Sequence, residues 1–161
     1  MVSSNSSLPS RYSASSGFTL IELMVTIAVM AIIVSIAAPN VSSQLANQRV
    51  KSTTATLYTA LREAKTESMI RRQELKLSYD GSSNPKIIKI ENADKKVIAS
   101  YSYNKKSTIA SSSGDGSITF KPGSVNAGVT YTICDEDNSV TNSQITVSQR
   151  AMITTTTGGT C

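Results

Sequence analysis

Groups able to do chemistry are sparse in this chain of 161 residues, and they gather near its two ends. Near the start, the Gly17-Phe18 peptide bond follows Ser15 and Ser16, small residues that an endopeptidase accommodates. An ordinary secretory signal is cut after its apolar region and loses it. A cut at Gly17-Phe18 instead keeps the apolar run from Phe18 to Ala38 and exposes a new amine at Phe18. Glu22 is the only charged side chain in that run, one helical turn from the new amine. A carboxylate at that depth in a bilayer costs about 2.5–3.5 kcal/mol, so it is kept for a partner or a function.

The remaining inventory argues against catalysis. There is no His, the usual general acid–base residue. No zinc spacing, phosphate-binding loop or Ser/His/Asp set occurs. The acidic stretch Asp135, Glu136, Asp137, Asn138 offers Ca²⁺ ligands but lacks the glycine and distal glutamate of an EF-hand, so it reads as a solvated hairpin turn. No metal, cofactor or enzymatic activity is expected. The two cysteines, Cys134 and Cys161, predict one disulfide in an exported chain, with Gly158-Gly159 as a flexible segment letting Cys161 swing back. The alternative is a buried Cys134 and a free Cys161. Closing a loop of that size stabilises by about 3–4 kcal/mol in the chain-entropy model.

Next come the elements that must carry these groups. At a rise of about 1.5 Å per residue, a helix from Phe18 to Ala38 reaches about 31 Å, the thickness of a bilayer's hydrocarbon core. Pro39 follows at once. It predicts a kink or break near Ala38, or simply the end of the membrane helix at the interface. From Val41 to about Arg72 there is no Gly or Pro, and Leu57, Leu61, Ala64 and Ser68 form a helical stripe. Several Thr residues dilute helix propensity there, so packing must supply stability. Arg71-Arg72 complement the helix dipole at its end.

Beyond the helix the period falls to two. Strands are predicted at 75–79, 86–90, 97–103, 117–120, 129–134 and 144–148, with a last one at 151–155. Asp80-Gly81 to Pro85 is turn chemistry, and Ser111 to Gly116 reads as a loop. One helix followed by short strands gives an α+β class: a long N-terminal helix, half anchor and half amphipathic, packed on a small antiparallel β domain. The expected division is a leader at 1–17, a transmembrane and assembly helix at 18–40, and a globular domain at 41–161. The net charge of +5 is spread along the chain, which aids solubility without marking a nucleic-acid binder.

Gly17 to Ile27, Gly-Phe-Thr-Leu-Ile-Glu-Leu-Met-Val-Thr-Ile, resembles the class III signal of type IV prepilins and type II secretion pseudopilins. The resemblance implies cleavage between Gly17 and Phe18 by a prepilin peptidase, then N-methylation of Phe18. It implies that Glu22 neutralises the N-terminal amine of a neighbouring subunit during assembly. Pro39 matches a helix-distorting proline common in type IV pilins. The implied partners are the inner membrane before assembly, spanned once with the globular domain in the periplasm, and then other major and minor pilins through the N-terminal helix.

A second resemblance covers the C-terminal part. Ile118-Thr-Phe120, then Pro122-Gly123, a strand reaching Cys134, and Ile145-Thr-Val-Ser148 before a basic residue are similar to the FimT, FimU and GspH group. That group implies a helix on two small antiparallel sheets. It implies a minor pilin acting in pilus assembly or priming, or a type II secretion pseudopilin. In the FimT branch, DNA binding goes with a C-terminal Gly-Arg-x-Arg. Here the stretch is Gln149-Arg150-Ala151-Met152, and only Arg150 matches. Lys105, Lys106 and Lys121 would add charge from loops. Losing one of two arginines weakens phosphate contact, so a structural role is expected ahead of DNA binding for natural transformation.

Overall fold

Thr19 starts the helix. In this computed structural model, which describes residues 17–136 and 140–161 apart from the side chains of 37–40, its hydroxyl oxygen accepts the Glu22 N–H at 3.2 Å. Its carbonyl accepts the Leu23 N–H at 3.2 Å. Thr-x-x-Glu before an apolar run is the capping-box pattern, with Glu22 in the first turn where the dipole favours an acid. From there α1 runs Leu20–Arg71.

The chain divides into two units, Met1–Ala38 and Pro39–Cys161. In the first, the hydroxyls of Thr26 and Ser35 donate to the carbonyls of Leu23 and Ile32, so these two polar side chains are satisfied within the helix itself. Every large apolar side chain from Phe18 to Ile36 is exposed. Among the described residues no single helix is long and apolar enough to cross a membrane. The segments Leu20–Ile36 and Val41–Arg71 together meet that requirement by length and composition. Residues 1–16 of the leader and the side chain of Pro39 lie outside the described residues, and the expectations on them with it.

In the second unit the helical stripe is buried as expected: Leu57, Leu61, Ala64 and Ser68 are all fully covered. The helix ends where Arg72 takes a left-handed conformation (φ 51°) and Gln73 N–H reaches back to Ser68 C=O at 3.2 Å. That is a Schellman closure without glycine. Arg71 pairs with Glu67 one turn earlier.

Among the described residues nine strands follow: β1 Leu75–Asp80, β2 Lys86–Asn92, β3 Val97–Tyr103, β4 Ser107–Ser111, β5 Ile118–Lys121, β6 Ser124–Val125, β7 Val129–Asp135, β8 Ser143–Val147 and β9 Ile153–Thr157. They form two antiparallel sheets, ordered β3-β2-β1-β5-β6 and β4-β7-β8-β9. The α+β class and the helix on a two-sheet domain are as expected. β4 and β6 were not expected. β4 is Ser-Thr-Ile-Ala-Ser, polar in sequence, and becomes a strand because Ser107 to Ser111 register against Asp135 to Tyr131 of β7. The last strand starts at Ile153 rather than Ala151, since Ala151 sits in a turn at φ 55°.

The core lies where α1 meets both sheets. Leu57 and Leu61 share one apolar cluster with Leu77, Ile88 and Phe120 of the first sheet and Tyr131, Ile133 and Ile145 of the second. β7 is covered on both faces, with only Thr130 less than buried. Each fully buried Leu or Ile contributes about 1.5–3 kcal/mol relative to exposure. Tyr79 meets Tyr131 edge-on, with ring centroids 6.3 Å apart at 77°.

Candidate functional site

Two regions carry the residues singled out in the sequence. In the first unit, Gly17 and Phe18 lie just before the helix and Glu22 lies within its first turn. A Cβ on Gly17 would meet no atom within 4 Å, so nothing in the fold demands glycine there. Thr19, the cap, was missed in the sequence reading. Its signal was present as the Thr-x-x-Glu spacing.

In the second unit, Cys134 and Cys161 are joined, with Cα atoms 6.4 Å apart and a sequence separation of 27. The tail before Cys161 is more ordered than a flexible linker. Gly158 N–H donates to Asn142 C=O at 2.8 Å, and Asn142 Nδ2 donates to Gly159 C=O at 3.0 Å. Both glycines have left-handed φ, 111° and 100°. A Cβ on Gly159 would lie 2.4 Å from Gln144 Nε2, so this stretch is built for glycine by geometry as well as by freedom.

The acidic stretch is corrected at its first member. Asp135 is not part of a solvated turn. It ends β7, is 5% exposed, and is held by Arg49 from α1. Arg49 Nε and Nη2 donate to Asp135 Oδ2 and Oδ1 at 2.8 and 2.7 Å. Glu136 follows, exposed, its N–H donating to Lys106 C=O at 3.0 Å. Asp137 and Asn138 lie outside the described residues. Among the described residues, no group of three or more His, Cys, Asp or Glu side chains is placed to hold a metal.

The candidate cations do not form one patch. Arg150 is exposed in the β8–β9 turn, which is closed by Ala151 N–H to Ser148 C=O at 2.8 Å. Lys105 and Lys106 are exposed in the β3–β4 turn. β4 registers Ser107 against Asp135, whereas β8 registers Val147 against Val129, so the two turns sit at opposite ends of β7. At about 3.3 Å per residue, the length of β7 keeps them about 20 Å apart. Lys121 lies nearer the Arg150 turn, since Val125 N–H of β6 donates to Gln149 C=O at 3.1 Å. Lys121 is already paired with Glu74 at 3.1 Å.

Elsewhere the perturbed groups follow burial and local bonding. Asp80 and Asp115 are held below the usual carboxylate range, each first by the hydroxyl of a serine two residues on, Ser82 and Ser117. Burial raises the Tyr79 and Tyr131 phenols and pushes Tyr103 up to about 12.

The chain's relatives fit this picture. The prokaryotic N-terminal methylation motif matches residues 12–38, and the family described as type II transport protein GspH matches residues 53–151. The fold is similar to the crystal structure of the type IV minor pilin FimU of Pseudomonas aeruginosa, with a TM-score of 0.55 and 19% identity over 66% of this chain and 87% of that one. A second crystal form of FimU gives 0.56 and 17% over 66% and 91%. The minor pseudopilin EpsH from the Type 2 Secretion System of Vibrio cholerae gives 0.54 and 12% over 67% and 96%. No curated protein matches the chain.

Proposed function

This chain belongs to the type II transport protein GspH family, and on that footing we propose that it is a minor pilin of a type IV pilus, a non-enzymatic filament subunit acting in assembly or priming. The observation that carries the reading is the bare apolar helix of the first unit. From Phe18 to Ile36 its large side chains are 50–81% exposed. A continuous apolar surface of this kind needs a cover. The cover is first the hydrocarbon of the inner membrane and then the N-terminal helices of other major and minor pilins. In this reading residues 1–17 are the leader, 18–40 the transmembrane and assembly helix, and 41–161 the periplasmic domain. A prepilin peptidase cuts between Gly17 and Phe18, a cut favoured by a glycine that the fold itself does not need. Phe18 is then N-methylated. Glu22 meets the amine of a neighbouring subunit, which gives the acid its partner.

Two variants test this in the native host. Glu22→Ala is expected to reach the membrane normally and to be lost from sheared filaments. Gly17→Val is expected to accumulate as an uncut, inserted precursor, read by intact mass. Normal filament entry by the first, or a wild-type protein that keeps its leader and carries no methyl group, overturns the reading. The same surface would serve a type II secretion pseudopilin, a second reading favoured by the family match itself. Deleting the gene separates them: loss of pili with secretion intact supports the pilus, and the reverse supports the pseudopilus. DNA binding through the exposed Arg150 ranks behind both, because its candidate lysines are paired or at the far end of β7.

A further inference from the structure

Sheet edges are ordinarily guarded against pairing with another chain by charge, proline, irregularity or shortness. Three of the four edges here follow that rule. β3 is preceded by Lys95-Lys96, and its pairing with β2 is irregular at Ile90/Glu91. β4 is preceded by Lys105-Lys106, and Lys86 Nζ occupies Ser107 C=O at 2.9 Å. β6 spans only Ser124–Val125. The fourth, β9, is Ile-Thr-Thr-Thr-Thr, without charge or proline, and Thr154 to Thr157 are exposed.

The hydrogen bonds of the β8–β9 hairpin set which groups of β9 are free. Ser148 N–H donates to Met152 C=O, and Gly158 N–H donates to Asn142 C=O. With Val147 opposite Ile153 and Ser143 opposite Thr157, the bonded positions of β9 are the even-numbered ones. Ile153, Thr155 and Thr157 therefore turn their N–H and C=O groups away from β8. Beside the start of this edge runs a groove shared with α1, lined by Tyr58, Arg62, Lys65, Met69, Met152 and Ile153. Its lining is mixed: Met152, 62% exposed, and Met69, 41% exposed, lie beside Arg62, Lys65, Thr66 and the Tyr58 phenol. The ionisable groups lining it are the cations Arg62 and Lys65 and the Tyr58 phenol, with Arg62 over the Tyr58 ring at 5.8 Å; Glu63 and Glu67 line the adjoining hollow on the far side of Arg62, where Glu67 is paired with Arg71.

We propose that β9 accepts a fifth strand from a neighbouring filament subunit, an extended segment carrying carboxylates beside apolar side chains. The backbone of that segment would bond Ile153, Thr155 and Thr157. Its apolar side chains would enter the groove beside Met69 and Met152, and its carboxylates would meet Arg62 and Lys65. Edge addition of this kind takes affinity from the backbone and selectivity from the side-chain pockets. The inference rests on the filament-subunit reading.

The test places a photo-reactive benzoylphenylalanine at Met152 or Thr155 of the full chain in its native cell envelope, with crosslinked peptides sequenced by mass spectrometry. Both positions are expected to capture one Asp- or Glu-bearing stretch of a different pilin. Arg62→Glu with Lys65→Glu is expected to lose the capture. Thr155→Pro should also lose it, because that N–H faces outward and proline leaves the β8 ladder intact. Closure of the Cys134–Cys161 bond in each variant verifies folding. Capture of a second copy of this chain, of lipid or of DNA, no capture at either position, or capture insensitive to the charge reversal overturns the proposal. Glu22→Ala is run alongside. If it still enters sheared filaments, the filament reading itself fails. If it is excluded while the groove and edge variants keep the wild-type capture, strand addition alone fails.

Discussion

Arg49 on α1 and Asp135 at the end of β7 lie 86 residues apart in sequence and meet in a two-point ion pair, with both contacts within 2.8 Å. The Asp135 side chain is fully buried, while that of Arg49 keeps 22% exposure. A buried pair of this kind is modest evidence of net stability, but removing one partner takes a two-point, charge-assisted contact from the other. Arg49→Ala is therefore expected to destabilise by about 3–5 kcal/mol. Replacing both partners with apolar residues of similar volume should recover most of that loss. Denaturant unfolding of the three proteins decides it, and equal losses in the single and double variants would place the effect in packing rather than charge.

The disulfide gives a second measurable quantity. Cys161→Ser opens a loop of 27 residues and is expected to cost about 3–4 kcal/mol. The Gly158 amide, now bonded to Asn142, should lose its protection from hydrogen exchange as the tail frays. Unchanged protection at Gly158 would mean that the tail's own hydrogen bonds suffice to hold it.

Alkaline pH should weaken the fold through Tyr103. Burial raises its phenol from 10.0 to about 12, so the folded state holds the proton more tightly than the unfolded chain does. The contribution is complete below pH 10 and is lost as pH rises through about 12. Unfolding free energy measured from pH 9 upward should fall across that window, and Tyr103→Phe should flatten the fall. An identical slope in the variant would assign it to the other raised phenols, Tyr79 and Tyr131.

DNA affinity should be weak and dominated by one turn. Non-specific dissociation constants on the order of 10⁻⁴ M or weaker are expected at physiological salt, with a log–log slope of about −0.9 per phosphate neutralised. Arg150→Gln should reduce both affinity and slope. Lys105→Gln with Lys106→Gln should change neither, because that turn lies at the opposite end of β7. Low-micromolar, salt-sensitive binding lost in Arg150→Gln would instead raise the DNA receptor above the structural role.

Much of the fold was legible in sequence, for identifiable reasons. Leu57, Leu61, Ala64 and Ser68 keep helical spacing, and burial follows spacing. β1, β2, β3, β7 and β8 are rich in alternating Ile, Val, Leu and Tyr, which a pleated and half-buried surface favours. β4 was illegible because Ser and Thr carry turn chemistry as readily as strand chemistry, and only the partner across the ladder decides between them. Asp135 was misread for a related reason. Its neighbours in sequence are acidic, so it looked solvated, whereas its neighbour in space is an arginine from α1. Nothing local in either residue encodes that meeting. Thr19 is the opposite case: its three-residue spacing to Glu22 is wholly local, and the capping hydrogen bond follows from that spacing alone.

The ion pair and the disulfide occupy consecutive residues of β7, Asp135 and Cys134. One ties the strand to α1 and the other ties it to the last residue of the chain. A pull applied along α1 is thus shared with the end of β7, and the same point holds the C-terminal tail by a covalent strap. β7 is itself clamped between β4 and β8, so the fastened end belongs to a strand laddered on both sides. Helix, interior strand and terminus are fastened together at this end of β7, and single-molecule extension from the N-terminal side should register Arg49→Ala and Cys161→Ser each as a loss of rupture force.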